Sequence, residues 1–275
     1  MKGKLIVIDG LDGTGKQTQV ELLRQYLIKD CKAIEGKDFA VIDFPRYNES
    51  SSWMVKKYLS GEFSNDPRDT NAYLASSFYS IDRAISYKNE EWGKVYDNGG
   101  LVIADRYTCS NIIYQGAKLI SKDLTENDNM INLAKFAQWL YTYEYSTLGI
   151  PVPNRIVYLK LSEEANNKML EGRKETAVSG DIHEKNKNFL NECRFALDIY
   201  QRIVRNEPLM KFSGLRDILS DGYTCRHSFI DVSTKTGGVM SREDINKLIR
   251  KNIFVYSQWY SWPNKIPEID TIRES

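Results

Sequence analysis

The sequence predicts an α/β fold in which a five-stranded parallel sheet lies between two layers of helices. Strands buried on both faces are nearly continuous in apolar residues, and five such runs are present. They cover residues 4–9, 39–44, 101–105, 155–161 and 228–232 (KLIVID, FAVIDF, LVIAD, RIVYLKL and SFIDV). Their alternation with segments of helical spacing indicates helices on both faces of the sheet.

The intervening helices are recognised by apolar residues three or four positions apart. The clearest sets are Val20, Leu23 and Leu27; Leu74, Phe78, Ile81 and Ile85; and Phe195, Ile199 and Ile203. A parallel sheet binds its ligands at the carboxyl ends of its strands. The polar residues that follow each strand are therefore the candidates for function.

Length and composition limit the domain organisation and the partners. The chain has 275 residues, 41% of them hydrophobic, and we predict a single domain over 1–275 to which 206–227 and 254–275 are additions. The net charge of +1 provides no overall field that would attract nucleic acid or a membrane surface. The segment 254–275 is rich in aromatic residues but lacks interleaved basic ones, which favours packing against the domain or a partner subunit over nucleic-acid binding.

The expected compartment follows from the apolar runs and the cysteines. No apolar run approaches the roughly 18 to 20 residues that cross a bilayer. No secretory signal precedes the first predicted strand, and the cysteines show neither CxxC nor Cys/His metal spacing. We therefore expect a protein of the reducing cytoplasm with no membrane partner. The four cysteines are Cys31, Cys109, Cys193 and Cys225.

A glycine-rich loop with the pattern GxxxxGK joins the first strand to the first helix. Its fixed positions are Gly10, Gly15 and Lys16. In this setting the glycines let backbone N–H groups point at phosphate oxygens, the helix N-terminus adds partial positive charge, and the lysine reaches the β and γ phosphates. We therefore predict a nucleotide-binding P-loop. Its residues are Gly10, Gly13, Thr14, Gly15, Lys16, Gln17 and Thr18.

Gln17 stands where a serine or threonine hydroxyl normally meets magnesium in such a loop. An amide oxygen is a weaker substitute, but magnesium needs few protein ligands when phosphates and waters supply the rest. Asp9, Asp12 and Asp105 are acids near the loop that would hold the ion directly or through water. We predict Asp12 and Asp105 as the metal-site residues, although the sequence does not fix the ligand set.

The segment 104–116, after the third predicted strand, carries a second group of polar residues. Arg106 is suited to clamp a phosphate bidentately; the alternative is an ion pair with Asp105 at the strand end. A helix that begins here would aim Ser110, Asn111 and Tyr114 at the same cleft, because they lie three or four residues apart.

A predicted helix over 73–87 carries Tyr79 and Arg83 four positions apart. An aromatic plane beside a guanidinium suits a nucleobase, which stacks on one and accepts a hydrogen bond from the other. Taken alone, such a pair is more often packing plus a surface charge.

Five segments, in this order, resemble the thymidylate kinases, which are P-loop nucleoside monophosphate kinases. They are 9–16 (DGLDGTGK), 43–47 (DFPRY), 78–84 (FYSIDRA), 105–116 (DRYTCSNIIYQG) and 181–186 (DIHEKN). The pattern DRYxxSNxxYQG is the most specific. The resemblance covers about residues 4–205, with a weaker match over 229–245. It implies transfer of a phosphoryl group from ATP to dTMP, with Mg²⁺ as cofactor.

The resemblance also implies roles for individual residues. Tyr79 stacks on thymine and Arg83 hydrogen-bonds a base carbonyl. Ser110 and Asn111 contact the base or its surroundings, and Tyr114 lies under the deoxyribose, where a 2′-hydroxyl would collide with it. The implied substrate-binding set is Asp12, Phe44, Pro45, Arg46, Tyr47, Tyr79, Arg83, Arg106, Ser110, Asn111, Tyr114 and Gln115.

Within that set, Asp12 is placed near the sugar 3′-hydroxyl or the metal, and Arg46 and Arg106 are placed on the acceptor phosphate. In this family the additional catalytic cation comes from the phosphate loop or from the lid. Position 13 is glycine, so the predicted lid, 168–186, is expected to supply it. A cation that closes on the transferred phosphoryl group excludes water and stabilises developing charge. The predicted catalytic residues are Lys16, Arg106, Arg173, Lys174 and Asp12.

Asp181 and Glu184 match the lid-adjacent acids of the family, suited to organise base contacts or metal water. His183 between them is interpreted as a packing or surface residue, because an attacking phosphate is already ionised near neutrality and needs no dedicated base. His227 is interpreted as structural.

The sequence thus predicts a magnesium-dependent kinase that binds ATP and dTMP, with a homodimer expected from the family. Two alternatives stay open. A deoxynucleoside kinase would act on a 5′-hydroxyl with Asp43 as the base, but it would not need the arginines Arg46 and Arg106. A non-catalytic nucleotide-binding regulator would account for Gln17 but not for the complete acceptor pattern.

Overall fold

A computed structural model describes residues 2–162, 164–166, 181–205, 225–234 and 238–255. Its centre is a sheet in the order β2-β3-β1-β4-β5, in which every neighbouring pair is parallel. All five predicted strands are confirmed. The strands are β1 (Lys4–Gly10), β2 (Phe39–Asp43), β3 (Leu101–Asp105), β4 (Arg155–Lys160) and β5 (Arg226–Asp231).

Helices connect the strands, as parallel pairing requires. The α-helices of the described chain are α1 (Lys16–Lys29), α2 (Trp53–Leu59), α3 (Ala72–Asn89), α4 (Glu91–Asp97), α5 (Thr108–Tyr114), α6 (Glu126–Tyr141), α7 (Ile182–Lys185), α8 (Lys187–Arg205) and α9 (Arg242–Arg250). Short 3₁₀ turns cover Ser50–Ser52 and Gly116–Leu119, and π-helical turns cover Thr142–Thr147 and Lys251–Val255.

The sheet separates two apolar layers, because successive side chains of a strand point to opposite faces. Ile6 and Ile8 of β1 lie in a buried cluster with residues of α1 and α9. Leu5 and Val7 lie in the other cluster, with residues of α5, α6 and α8. The predicted arrangement of helices on both faces is therefore confirmed.

One predicted apolar stripe is wrong. Of its four residues on α3, only Phe78 is buried, whereas Leu74, Ile81 and Ile85 are 53%, 44% and 42% exposed. The inner face of α3 instead carries small and polar residues, which the apolar spacing could not reveal. The buried residues are Ala72, Ala75, Ser76, Phe78, Ser80, Asp82, Arg83 and Ser86.

Several predicted segments lie wholly or largely outside the described residues. They include positions 167–180 of the predicted lid, 206–224 of the insertion and 256–275 of the tail. The single domain over 1–275 accordingly stays a prediction. Across the described helices, no stretch combines the length and the hydropathy of a membrane span.

Candidate functional site

A cavity of about 1020 Å³ lies at the carboxyl ends of β1, β2 and β3. It joins the predicted phosphate loop to residues of α3 and α5, so one space holds most of the predicted site. The predicted residues that line it are Asp12, Gly13, Gly15, Lys16, Gln17, Thr18, Phe44, Pro45, Tyr47, Tyr79, Arg83, Asp105, Arg106, Ser110, Asn111, Tyr114 and Gln115.

The phosphate loop contains three glycines, Gly10, Gly13 and Gly15, with positive φ angles that other residues rarely adopt. Gly10 has φ 150°, and a Cβ there would lie 2.5 Å from the carbonyl oxygen of Leu159. Gly15, with φ 81°, precedes α1, and its position provides no side-chain cap for the helix. The first N–H groups of a helix have no partner within it, so they are available to an anion in the cavity.

Lys16 is buried beneath the loop, where Nζ donates to the carbonyl oxygen of Leu11 at 2.8 Å. Thr14 Oγ1 donates to the same oxygen at 2.8 Å. Burial and the nearby charge of Arg106 lower the pKa of Lys16 to about 8, against the opposing effect of the acids around it. The position of Lys16 therefore suits binding of an anionic group, which would supply more negative charge than the Leu11 carbonyl.

Asp9 is engaged by its immediate surroundings. Its carboxylate accepts from the Gly10 N–H at 2.7 Å, from Cys109 Sγ at 2.7 Å and from Ser110 Oγ at 2.8 Å. Asp9 therefore joins β1 to the start of α5. Ser110 lines the cavity, but its hydroxyl is directed at Asp9.

Asp12 and Arg106 form an ion pair across the cavity. Tyr114 Oη donates to Asp12 Oδ2 at 2.6 Å, and the Arg106 guanidinium lies 5.5 Å from the Tyr114 ring centroid. Burial raises the pKa of Asp12, but the charges of Arg106 and Lys16 outweigh it and hold this pKa well below its usual range. Arg106 has φ 66°, a left-handed backbone conformation that non-glycine residues rarely adopt. Both groups are thus ionised and fixed between the two ends of the cavity.

Asp105 differs from Asp9 and Asp12 because Oδ1 is buried with no hydrogen-bond partner in the described part of the chain. Burial raises the pKa of its carboxyl, with Lys16 and Arg106 acting in the opposite direction. A buried, unpartnered carboxylate oxygen beside a phosphate loop suits a magnesium ion or its water. No cluster of three or more His, Cys, Asp or Glu side chains suited to a metal occurs among the described residues. An ion here would need phosphate oxygens and water.

The end of the cavity that is predicted to bind the acceptor, called the acceptor end below, is lined by residues of α3 and α5. Tyr79 packs edge-on against Tyr58 with ring centroids 6.4 Å apart, and Asn111 Nδ2 donates to the Ser76 carbonyl at 3.3 Å. The helix beginning at Thr108 brings Ser110, Asn111 and Tyr114 to the cavity, as the spacing predicts.

Arg83, 2% exposed, is held by a carboxylate that the sequence analysis did not identify. Its Nε donates to Glu144 Oε2 at 3.1 Å, and its Nη2 pairs with Glu144 Oε1. Burial opposes the charge of Arg83, but Glu144 keeps the pKa of the guanidinium above its ordinary value. Glu144 is a lone acid in the aromatic stretch YTYEYS, and that isolation is the only signal the sequence offers.

Arg46 is a predicted substrate residue outside the lining of this cavity. Its guanidinium contacts Asp43 at 2.6 Å and Glu90 at 2.7 Å. Its backbone N–H donates to Asp82 Oδ2 at 2.9 Å. The Phe44–Pro45 peptide bond before it is cis. Contact of Arg46 with an acceptor phosphate would require these ion pairs to open and therefore stays a prediction.

His183 is more closely integrated than a surface residue. Its ring stacks on Tyr114 with centroids 5.4 Å apart, and its Nε2 lies 2.9 Å from Tyr58 Oη. Burial lowers the pKa of His183 to about 3, so the imidazole is neutral at physiological pH. The interpretation as a packing residue agrees with these contacts. Asp181 also lines the cavity.

Two of the predicted catalytic residues, Arg173 and Lys174, lie outside the described residues. Sequence reasoning also missed Asn166, whose Nδ2 donates to the Asp12 carbonyl at 2.6 Å. Arg194 of α8 donates to Asn166 Oδ1 at 2.7 Å, which connects that helix to the phosphate loop.

Comparison with known proteins places this cavity in a family context. A family model described as thymidylate kinase matches residues 8–209. A thymidylate kinase of Mycobacterium tuberculosis is 31% identical over 176 residues, 62% of this chain and 71% of that protein. A probable thymidylate kinase of Methanococcus aeolicus is 27% identical over 257 residues, 92% of this chain and 99% of that protein.

Solved structures show the same fold. The thymidylate kinase of Candida albicans superposes with a TM-score of 0.58 at 18% identity over 93% of both chains. The thymidylate kinase of Ehrlichia chaffeensis gives a TM-score of 0.52 at 16% identity, over 92% of this chain and all of that one. The family match extends from the end of β1 through α8 and so contains the phosphate loop, Arg83 and the DRY segment. This chain therefore belongs to the thymidylate kinase family.

Proposed function

We propose that the protein transfers the γ-phosphoryl group of ATP to the phosphate of dTMP, giving ADP and dTDP. The observation that carries this proposal is that one cavity is lined by the phosphate loop, by side chains of α3 and α5, and by Arg106 between them. An acceptor oxygen attacks the γ-phosphorus while the bond to the β,γ-bridging oxygen breaks. The acceptor phosphate is ionised near neutrality, so no dedicated base is needed.

The donor phosphates lie, in this proposal, on the N-terminus of α1 and its loop. Lys16 exchanges the Leu11 carbonyl for the β and γ phosphates, which restores its full positive charge. Arg106 holds the acceptor phosphate, with Asp12 fixing the orientation of the guanidinium. Catalysis then consists mainly of positioning and charge neutralisation. Arg173 and Lys174 remain predicted lid cations on the sequence alone.

The acceptor nucleoside is proposed to lie between Tyr79, Arg83 and Tyr114. Tyr79 supplies an aromatic plane, and Arg83 supplies a donor for a base carbonyl. Tyr114 is fixed by Asp12 on one side and by His183 on the other, which makes it a rigid surface for the sugar.

Magnesium is the proposed cofactor, and Asp105 is the residue best fitted to hold it, directly or through water. Asp12 has its two carboxylate oxygens on Arg106 and Tyr114, so it contributes to the ion only if those contacts change. When bound, the ion neutralises charge on the donor phosphates.

The first test is magnesium-dependent ADP release from ATP with dTMP, dUMP, UMP, dCMP, thymidine or no acceptor. Strong stimulation by dTMP, with UMP poor and thymidine inert, is expected. ATP binding without acceptor-dependent turnover would instead favour the regulator. Stimulation by thymidine alone would move the chemistry to a hydroxyl.

A homodimer through α3 is also proposed. Leu74, Ile81 and Ile85 form an exposed apolar face there. An apolar helix face of this kind is normally buried against another part of the protein or a partner, which supports a subunit interface at this face. We expect sedimentation velocity to give a dimer, and Ile81→Asp to give a monomer. Ile34→Asp, at an isoleucine that is 57% exposed, is the matched control and should stay dimeric. A wild-type monomer at micromolar concentration would contradict the proposal.

A cytoplasmic location is proposed as well. Cys31, Cys109, Cys193 and Cys225 are free thiols in the structure, three of them buried. Proteins kept in a reducing compartment normally carry their cysteines in this form.

A further inference from the structure

Glu144 is a buried acid that the proposed reaction does not use directly. Its side chain is 0% exposed, and four donor atoms surround it. They belong to Arg83, which supplies Nε and Nη2, and to the hydroxyls of Ser80 and Thr108. Ser80 Oγ lies 2.7 Å from Glu144 Oε1. Such a site is costly to build unless every charge is paired, and here the carboxylate is fully engaged.

These contacts come from both helices of the acceptor end. Ser80 and Arg83 belong to α3, whereas Thr108 begins α5 two residues after Arg106. Glu144 itself lies in the π-helical turn Thr142–Thr147, which follows α6 directly. Single π-helical turns are frequently found at functional sites. The carboxylate therefore connects three elements behind the wall of the cavity.

The pairing fixes the direction of the Arg83 guanidinium. Nε and Nη2 form one edge of the fork and face Glu144, so Nη1 lies on the opposite side of the pair. Nη1 makes no hydrogen bond within the described residues, and Arg83 lines the cavity. A planar fork held by two parallel bonds has little rotational freedom.

We infer that Glu144 is a positioning residue that sets the base preference of the acceptor site by aiming Arg83 Nη1 at a base carbonyl. The inference rests on the proposed function. A nucleobase that presents a carbonyl oxygen to Nη1, as thymine does, accepts its N–H group. Cytosine presents an amino group at the corresponding position, so two donors would face each other. Glu144 contacts no substrate atom in this arrangement; its effect passes through Arg83.

The test compares kcat/KM for dTMP with that for dCMP in Glu144→Gln. An amide has one acceptor oxygen, so it cannot accept from both Nε and Nη2 of Arg83, and the guanidinium loses its fixed direction. We expect the preference for dTMP over dCMP to fall by about tenfold or more, with KM for ATP nearly unchanged. In an Arg83→Ala background, Glu144→Gln should change the preference no further.

Controls separate positioning from stability. Tyr141 lies three residues before Glu144, and its hydroxyl forms a buried hydrogen bond of 2.5 Å with Tyr200. Tyr141→Phe deletes this bond and should leave the preference for dTMP over dCMP intact. Thr108→Val removes one donor from Glu144 and serves as a milder variant if Glu144→Gln does not fold; it should lower the preference in the same direction. Thermal unfolding is measured for every variant.

An unchanged preference in folded Glu144→Gln would overturn the inference, and so would an equal loss in the Arg83→Ala background. For Thr108→Val, an unchanged preference would overturn it in the same way. A wild-type enzyme that accepts dTMP and dCMP equally would instead break the proposed acceptor site. The two failures are therefore distinguishable.

Discussion

The donor and acceptor ends of the cavity are built in different ways. The donor end, where the ATP phosphates are proposed to bind, is formed by one short stretch of chain. This stretch contributes a glycine-rich loop, the N-terminus of α1 and Lys16. At the acceptor end, Arg83 depends on Glu144, which is 61 residues away in sequence. In the proposed reaction, phosphates are thus recognised by local structure, whereas the base is recognised through contacts between elements that are distant in sequence. Changes at the two ends should consequently affect different kinetic constants.

The largest effect is expected at the donor end. Lys16→Met removes the buried cation of the phosphate loop and should lower kcat by about 10² to 10³ fold. ADP release at saturating ATP and dTMP measures it, and circular dichroism should show an intact fold. Lys29→Met, at the exposed end of the same helix, is the control. A near-normal kcat for Lys16→Met would contradict the placement of Lys16 on the donor phosphates, and with it the proposed difference between the donor and acceptor ends.

At the acceptor end, Arg83→Ala should act mainly on dTMP. Loss of a charged hydrogen bond to the base is expected to raise KM for dTMP by about 10 to 100 fold while KM for ATP changes little. Initial-rate kinetics with each substrate varied separately measures this. Arg24→Ala, in an exposed ion pair with Glu35, is the control and should change neither constant. If KM for ATP rose instead, the two ends would have to be exchanged.

The pH dependence sharpens the comparison, because the donor end depends on a lysine and the acceptor end on arginines. Lys16, with its pKa lowered to about 8, is charged below that pH and neutral above it in the free enzyme. We expect kcat/KM for ATP to fall above pH 8 by about tenfold per pH unit. Stopped assays in a constant-ionic-strength buffer series measure the profile. A profile that stays flat to pH 9.5 would show that Lys16 does not titrate there.

The smallest effect is expected at Gln17. Its side chain is exposed at the rim of the cavity, whereas the free oxygen of Asp105 is buried inside it. Gln17→Ser should therefore shift the Mg²⁺ concentration for half-maximal rate by less than about threefold, and Asp105→Asn should shift it further. Rates at saturating substrates over a magnesium titration measure both shifts. The opposite ranking would assign the metal to the loop.

Sequence predicts the parts of this molecule that depend on neighbouring residues. The five strands, the phosphate loop and the α5 residues Ser110, Asn111 and Tyr114 all follow from local patterns. Apolar spacing failed on α3 because the helix turns polar residues inward and leaves Ile81 exposed. The role of Glu144 could not be predicted from the sequence, since it depends on contact with Arg83 of α3, which is distant in the chain. Of the two ion pairs that hold Arg46 outside the cavity, the one to Asp43 is local, whereas the one to Glu90 depends on the same kind of distant contact.

The central position of β1 has a consequence for the order of folding. β1 pairs with β3, whose residues begin at Leu101, and with β4, whose residues begin at Arg155. During synthesis, more than half of the chain must therefore be made before β1 can pair with strands on both of its edges. Contacts of such long sequence separation form late and slowly. The phosphate loop, although encoded near the beginning of the chain, is expected to be among the last features to become ordered.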